Sequence, residues 1–243
     1  MERVTLELGD LPAHAASGST DLCFPEHGLL SYVDVIEGNR RVEIGLIGFE
    51  GMIGWPFLLG CDHCPHRAVV QVQGSALRID AAHLLAACQT RPSLRLHLMR
   101  FVHLFTMQMS RAIASHLADP MERRLSRWLL MCHDRLEGDA IAVTHDQIGV
   151  ALSVRRATVT DALHILEGEG AVRCRRGWVT IRDRTLLTRL GGSSYGSSEA
   201  HYTDVIAPFG KNHGHDPLAI PTKSDPAWVT DSLTVIARSA CRD

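Results

Sequence analysis

The spacing of apolar and polar positions along this chain changes character twice. In the first third, apolar and β-branched residues come in short runs. Leu29–Glu37 and Arg41–Ile47 flank Gly38-Asn39, a hairpin turn signal. Arg67–Gln73 and Ala76–Ile79 read as further strands, and Gly45, Gly48, Gly51 and Gly54 suit tight turns or bulges between them. Short strands with glycine corners predict a small antiparallel barrel or jelly roll. From Ala81 the period becomes helical. Ala81–Gln89 is a short helix and Ser93 to about Leu117 a long one. On the long helix Leu94, Leu98, Phe101, Val102, Phe105, Met109 and Ile113 recur at steps of three and four. Such a seam suits a coiled-coil-like pairing of two chains, or a core helix packed on its own barrel. Asp119-Pro120 stops it, Pro120 fits the first position of a new helix, and Met121–Leu136 is that helix.

The second change of pattern falls at Thr144–Arg182, which reads helix, tight turn, helix, short hairpin. Thr144 and Gln147 have capping-box spacing, and Ile148 and Leu152 give the first helix an apolar side. Ser153 and Val154 form the break. A second helix runs from about Arg155 to Glu167, with Val159, Leu163 and Leu166 as its buried stripe, and Gly168 and Gly170 end it. Val172–Cys174 and Trp178–Ile181 are two short strands around Arg175-Arg176-Gly177. This order lays one helix in a DNA major groove and reaches the phosphates beside it. The residue types agree. Arginines fork onto guanine edges or pair with phosphate, hydroxyls bind phosphate, and the start of the second helix offers partial positive charge. The candidate contacts are Thr144, Arg155, Arg156, Thr158, Thr160, Asp161, His164, Arg175 and Arg176. The plainer reading of the same residues is a small helical subdomain with a solvated charged face.

The segment resembles the DNA-binding domain of the Crp/Fnr family of bacterial regulators. Thr144, Ile148, Arg156, Thr158, Val159, Leu163, Leu166, Glu167 and Gly170 stand where the family pattern has its own residues. The resemblance implies that Arg156 is the main base reader and Thr158 a phosphate or base contact. This chain departs from the pattern at the turn and along the second helix. Ser153 replaces the turn glycine and Arg155 the capping serine. Ala157 replaces the glutamate that accepts from cytosine, and Asp161 replaces a second recognition arginine. A lost carboxylate and a reversed charge must alter the sequence read. Residues 23–54, CFPEHGLLSYVDVIEGNRRVEIGLIGFEGMIG, resemble the family's sensory β-roll, so the likeness spans most of residues 20–185. The expected architecture is α+β: an N-terminal antiparallel β-roll or jelly roll with sensory character (1–90), a long dimerisation helix (91–118), a winged helix-turn-helix (119–190) and a disordered tail (191–243). The family's dimer predicts a near-palindromic promoter site with half-sites about one DNA turn apart, and RNA polymerase as a further partner.

Composition adds limits. The chain has 243 residues and a net charge of −2, which does not announce a nucleic-acid partner. Between Met121 and Leu190, however, twelve arginines face nine acids, so non-specific affinity should be moderate and salt-sensitive. No apolar run spans a membrane and the N-terminus MERVTLELGD lacks a signal-peptide core, so the cytoplasm is expected. Seven irregularly spaced cysteines read as reduced thiols. No catalytic fingerprint is present and an enzyme is not expected.

The family's cyclic-nucleotide cassette is not matched. Trp55 occupies the glutamate position, His66 the arginine position, and Arg67 is one residue late, facing the other side of its strand. Cyclic nucleotide is therefore disfavoured and no cofactor is assigned; an unknown effector lined by Trp55, Phe57 and His66 stays open. Cys61, His63, Cys64 and His66 form the one dense soft-ligand run. A single C-x2-C is a weak metal signal, and a plain surface loop is the simpler reading. After Leu190, GGSSYGSS has linker composition, and a short helix near Ala227–Ala237 is the only further element expected.

Overall fold

A computed structural model describes residues 1–9, 20–36, 40–61, 63 and 66–211. The N-terminal unit is a four-stranded antiparallel sheet in the order β1-β4-β2-β3, formed by β1 (Glu2–Leu6), β2 (Asp21–Ile36), β3 (Arg40–Ile47) and β4 (Arg67–Asp80). The two strands expected within 67–79 are one. β2 and β4 pair along nearly their full length, with register shifts between Pro25 and Leu30. The break in pattern at Gly74-Ser75 marks a bend rather than a turn. There the strands approach so closely that a Cβ on Gly74 would lie 2.2 Å from the His27 carbonyl oxygen, and one on Gly28 2.6 Å from that of Val72. The sheet folds over at this glycine pair, as bulged strands do. The Gly38-Asn39 turn lies outside the described residues. β1 is not among the expected strands, although Val4, Leu6 and Leu8 alternate at strand spacing.

α1 (Ala81–Thr90) leads into α2 (Pro92–Ala118), and α2 lies against the sheet. Gly45 and Gly51 make this approach possible by their missing side chains. A Cβ at Gly51 would meet the Phe101 ring at 2.4 Å, and one at Gly45 the Phe105 ring at 2.8 Å. Leu94, Leu98, Phe101, Val102 and Phe105 are buried in the sheet's own core. The seam read from the sequence is thus mostly an intrachain seam, and only Met109 and Ile113 at its end remain half-buried or exposed. Ile113 instead belongs to a stripe that faces outward, Leu96, His103, Thr106, Ser110, Ile113 and Leu117, with Ile113 and Leu117 61% and 85% exposed.

Asp119 caps the end of α2 and Pro120 precedes α3 (Met121–Arg135) as its N-cap, one position earlier than expected. From Leu125 to Arg135 every residue of α3 is buried. The second core gathers on its apolar positions together with Leu29 and Leu46 of the sheet, so the two units share packing. β5 (Ala140–Ala142), α4 (His145–Ala151), α5 (Arg156–Gly168), β6 (Val172–Arg175), β7 (Trp178–Ile181) and α6 (Arg184–Gly191) complete the C-terminal unit, with a three-stranded sheet in the order β5-β7-β6.

The linker expected after residue 190 is instead structured. Gly192–Ser194 is a 3-10 turn tied to α3, and α7 (Ser197–Val205) follows, packed on α2. Tyr195, Ile206 and Phe209 are buried, and these apolar anchors within a glycine- and serine-rich run outweigh its flexibility. The remainder of the expected tail, including 227–237, lies outside the described residues.

Candidate nucleic-acid interface

The site is built on the α4–α5 corner. Thr144 accepts from the Gln147 backbone N–H and Gln147 returns a bond to the Thr144 backbone, closing the capping box that starts α4. Ile148, Leu152, Val159, Leu163 and Leu166 are buried between the two helices. Ser153 forms the turn with φ 53°, the one non-glycine residue with positive φ among the described residues. That conformation costs an L-residue on the order of 1 kcal/mol. Two contacts hold it: Arg124 on α3 donates to the Leu152 carbonyl, and the Val154 N–H to the Gly149 carbonyl at 2.9 Å. Arg155 occupies the N-cap of α5 without a side-chain capping bond, so the first N–H groups of α5 point outward uncapped by it.

Arg155, Arg156, Thr158, Asp161 and His164 are exposed together on the outer side of α5. Arg156 and Asp146 of α4 sit 3.6 Å apart, both side chains 70% exposed, a pairing too solvated to hold the guanidinium firmly. Two of the candidate threonines are engaged within the motif. The Thr144 hydroxyl serves the capping box, and the half-buried Thr160 hydroxyl meets His145 Nδ1 at 2.9 Å and donates to the Arg156 carbonyl at 3.1 Å. Sequence reasoning missed His145 and Asp146, whose part depends on where α4 crosses α5. Arg175 and Arg176 are exposed at the tip of the β6–β7 hairpin, which turns at Gly177 with φ 77°. Trp178, 49% exposed, pairs across from Arg175 there and was also not anticipated. The Cys174 backbone N–H donates to Glu167 at 3.0 Å, fixing the hairpin to the end of α5.

The other candidates lie elsewhere. Trp55 and His66 gather around Tyr32, with ring centroids 6.3 and 5.3 Å from it, and Phe105 of α2 closes the cluster. Phe57 is buried in the adjoining 3-10 turn. Arg67 is exposed beside buried Ala68. Cys61 and His63 are exposed, His66 is half-buried, and Cys64 lies outside the described residues. Among the described residues no helix is long and apolar enough to cross a membrane.

Where the two units meet, the buried groups are charged. Arg135 of α3 donates to Glu50 at 2.8 Å, with side chains 3% and 4% exposed. Glu43 of β3 accepts from Trp128 Nε1 at 2.8 Å and from Ser31, and burial pushes its carboxyl up to about 7 against those bonds. Asp134 accepts from Arg184 and from the Tyr195 hydroxyl.

A family profile described as a Crp-like helix-turn-helix domain matches residues 123–190. No curated protein sequence matches the chain. Solved structures do. The CRP-family transcriptional regulator TTHB099 of Thermus thermophilus is 19% identical, covering 81% of this chain and 100% of its own, with a TM-score of 0.66. TTHA1359 of the same organism, a CRP/FNR-family transcriptional regulator, is 19% identical over 79% of this chain and 100% of its own, at 0.62. FixK2 of Bradyrhizobium japonicum is 15% identical over 79% of this chain and 98% of its own, at 0.69. Residues 123–190 match a Crp-like helix-turn-helix domain, and the chain that carries them has the fold of the solved Crp/Fnr-family regulators.

Proposed function

We propose that the protein is a sequence-specific transcription regulator that binds a near-palindromic promoter site as a homodimer. The observation that carries this reading is the outer face of α5, where Arg155, Arg156, Thr158, Asp161 and His164 stand exposed next to the exposed hairpin arginines. Arg156 reads a base edge in the major groove, and Arg175 and Arg176 hold the flanking phosphates. Asp161 offers an acceptor where relatives offer a donor, which favours cytosine or adenine amino groups at that position. Dimerisation runs through the outward stripe of α2 rather than the buried seam. Exposed Leu96, Ile113 and Leu117 are the apolar residues such a contact would cover. Two recognition helices would then lie about 34 Å apart, one DNA turn, and promoter-bound protein would meet RNA polymerase. Selection of bound sequences from random DNA tests the reading. Wild type should yield an inverted repeat, and Arg156→Ala should lose preference at one base pair per half-site, at a cost of about 1–3 kcal/mol. Identical motifs from both proteins would sink the assignment of Arg156.

A second reading is a small-molecule or metal-binding sensor whose DNA domain is degenerate. It is favoured by Ala157 and Asp161, and by the aromatic cluster, in which the buried Trp55 Nε1 has no hydrogen-bond partner among the described residues and His66 Nδ1 faces Asp34 at 3.8 Å. Purified protein that retains an effector and shows no salt-sensitive DNA binding would decide for it.

A further inference from the structure

Residues 192–211 lie beyond the segment matched by the family profile, which ends at 190, yet they touch every unit of the molecule. On the DNA-binding side, the Tyr195 hydroxyl donates to Asp134 at 2.6 Å, Arg127 donates to the Ser194 carbonyl at 3.1 Å, and the Lys211 N–H donates to Asp134 at 3.3 Å. On the sensory side, the Tyr202 hydroxyl donates to the Glu50 carbonyl at 3.0 Å. Between them, Arg100 of α2 donates to the Val205 carbonyl at 3.3 Å. The segment covers the Glu50–Arg135 ion pair, a charged link between the turn after β3 and α3. Phe209 lies 5.1 Å from the Arg135 guanidinium, and a small cleft lined by Glu50, Gln108, Arg135, Glu199 and Tyr202 remains under α7.

Two physical features separate this strap from ordinary core. At nine residues α7 is shorter than the roughly 12–15 an isolated helix needs, so it is ordered only while docked. Most of its residues are exposed or half-buried, which places it among the elements that open first. Its docking matters to the pair below because attraction between charges weakens severalfold as water replaces protein around them. The docked arrangement also bears on DNA. The first helix of a helix-turn-helix crosses the DNA backbone. Here Gln147, in the first turn of α4, donates to Gln71 of β4 at 3.4 Å, so the sheet stands beside that edge.

We propose that residues 192–211 form an intramolecular clasp that holds the DNA-binding unit against the sensory sheet and thereby restrains DNA binding. The clasp rests on the DNA-binding reading for its consequence but not for its existence. The test uses the full chain with Tyr195→Phe, Tyr202→Phe and Phe209→Ala combined, a mixed-sequence duplex as the DNA probe, and amide hydrogen exchange. Exchange should rise in α7 and then in α3 and β3, and affinity for the duplex should rise about fivefold or more, the lower end of ordinary allosteric coupling. Faster exchange in α7 with unchanged affinity overturns the restraint. Faster exchange in α7 with none in α3 or β3 overturns the clasp, and this arm reads out even if wild type binds no DNA, which would instead defeat the DNA-binding reading. If the combined variant does not fold, Tyr202→Phe alone, which removes one oxygen, should show the same changes at smaller size; no change in either measurement is then the overturning result.

Discussion

Arg156 and Arg135 carry the same guanidinium into opposite settings. Arg156 stands on α5 with its side chain 70% exposed and only a loose solvated carboxylate near it. Arg135 stands on α3, 3% exposed, held at 2.8 Å by Glu50 and donating to the Met131 carbonyl at 2.8 Å. The first contributes little to the fold, so its charge is available to a partner outside the molecule. The second is committed to joining the two units. The proposed regulator would need both kinds of site: a surface whose charges are not used up internally, and a junction whose charges are. The recognition surface uses its few internal bonds to set backbone shape, through the Thr144 capping box and the Thr160–His145 contact. The junction directs Arg135 at Glu50, Trp128 at Glu43 and Arg184 at Asp134.

The sharpest way to break this contrast is to remove one member of the buried pair. Arg135→Ala or Glu50→Ala should cost about 3–5 kcal/mol in urea unfolding, because each strands a buried charge. Replacing both by apolar residues of similar volume should recover most of that loss. Arg156→Ala should stay within about 0.5 kcal/mol of wild type. A loss below about 1 kcal/mol for Arg135→Ala would mean that the junction is solvated like the surface and that the contrast is false.

Glu43 sharpens the same point through pH. Its folded pKa of about 7 lies above its ordinary value of 4.5, because burial opposes the charge more strongly than Ser31, Trp128, Arg127 and Arg135 favour it. A raised carboxyl pKa means that the native state holds the proton more tightly than the unfolded chain. The stability this contributes is fully present below pH 4.5 and is lost as pH rises through about 7. Glu43→Gln keeps the shape and an acceptor for Trp128 while removing the titration. It should therefore gain on wild type by on the order of 2 kcal/mol between about pH 5 and pH 8. Denaturant midpoints at the two pH values check this, and parallel pH dependence of both proteins would show that Glu43 does not titrate in that window.

The proposed recognition surface is legible in the sequence because each step is local. Thr144 and Gln147 are three apart, the stripe Val159, Leu163, Leu166 needs only helical spacing, and the hairpin follows at once. The junction is not legible, because Glu43, Glu50, Trp128 and Arg135 are far apart along the chain and meet only in the folded molecule. The α2 seam is legible as apolar but not in its direction. Periodicity shows that a helix has an apolar stripe, and cannot say whether the protein's own sheet or a second chain covers it. Gly45 and Gly51 look like corners in the sequence, whereas their part is to admit two phenylalanine rings. The strap looks like linker because composition weighs its glycines and serines above Tyr195, Tyr202 and Phe209.

Ser153 tests the surface from inside. With φ 53° it occupies a conformation that glycine adopts freely. Ser153→Gly should stabilise the chain by about 1 kcal/mol or somewhat less, since glycine also gains freedom when unfolded. Thermal unfolding measures it, and the variant should select the same DNA motif as wild type. A changed motif would show that the turn tunes α5, and that shape and readout are not separable here.

The smallest effect is expected at the hairpin tip, and it asks whether the exposed arginines act alike. Arg175 and Arg176 are exposed where the strands turn, off α5, so each is expected to meet phosphate rather than a base edge. A phosphate contact releases counterions and carries no sequence information. Arg175→Ala or Arg176→Ala should weaken all duplexes nearly uniformly and lower the slope of log affinity against log salt by about 1 each. Arg156→Ala should instead act at one base pair. Duplexes differing only at that pair, titrated at several salt concentrations, separate the two behaviours. If a hairpin variant shifts preference between the duplexes while its salt slope holds, the hairpin reads bases and the boundary between reader and anchor lies elsewhere.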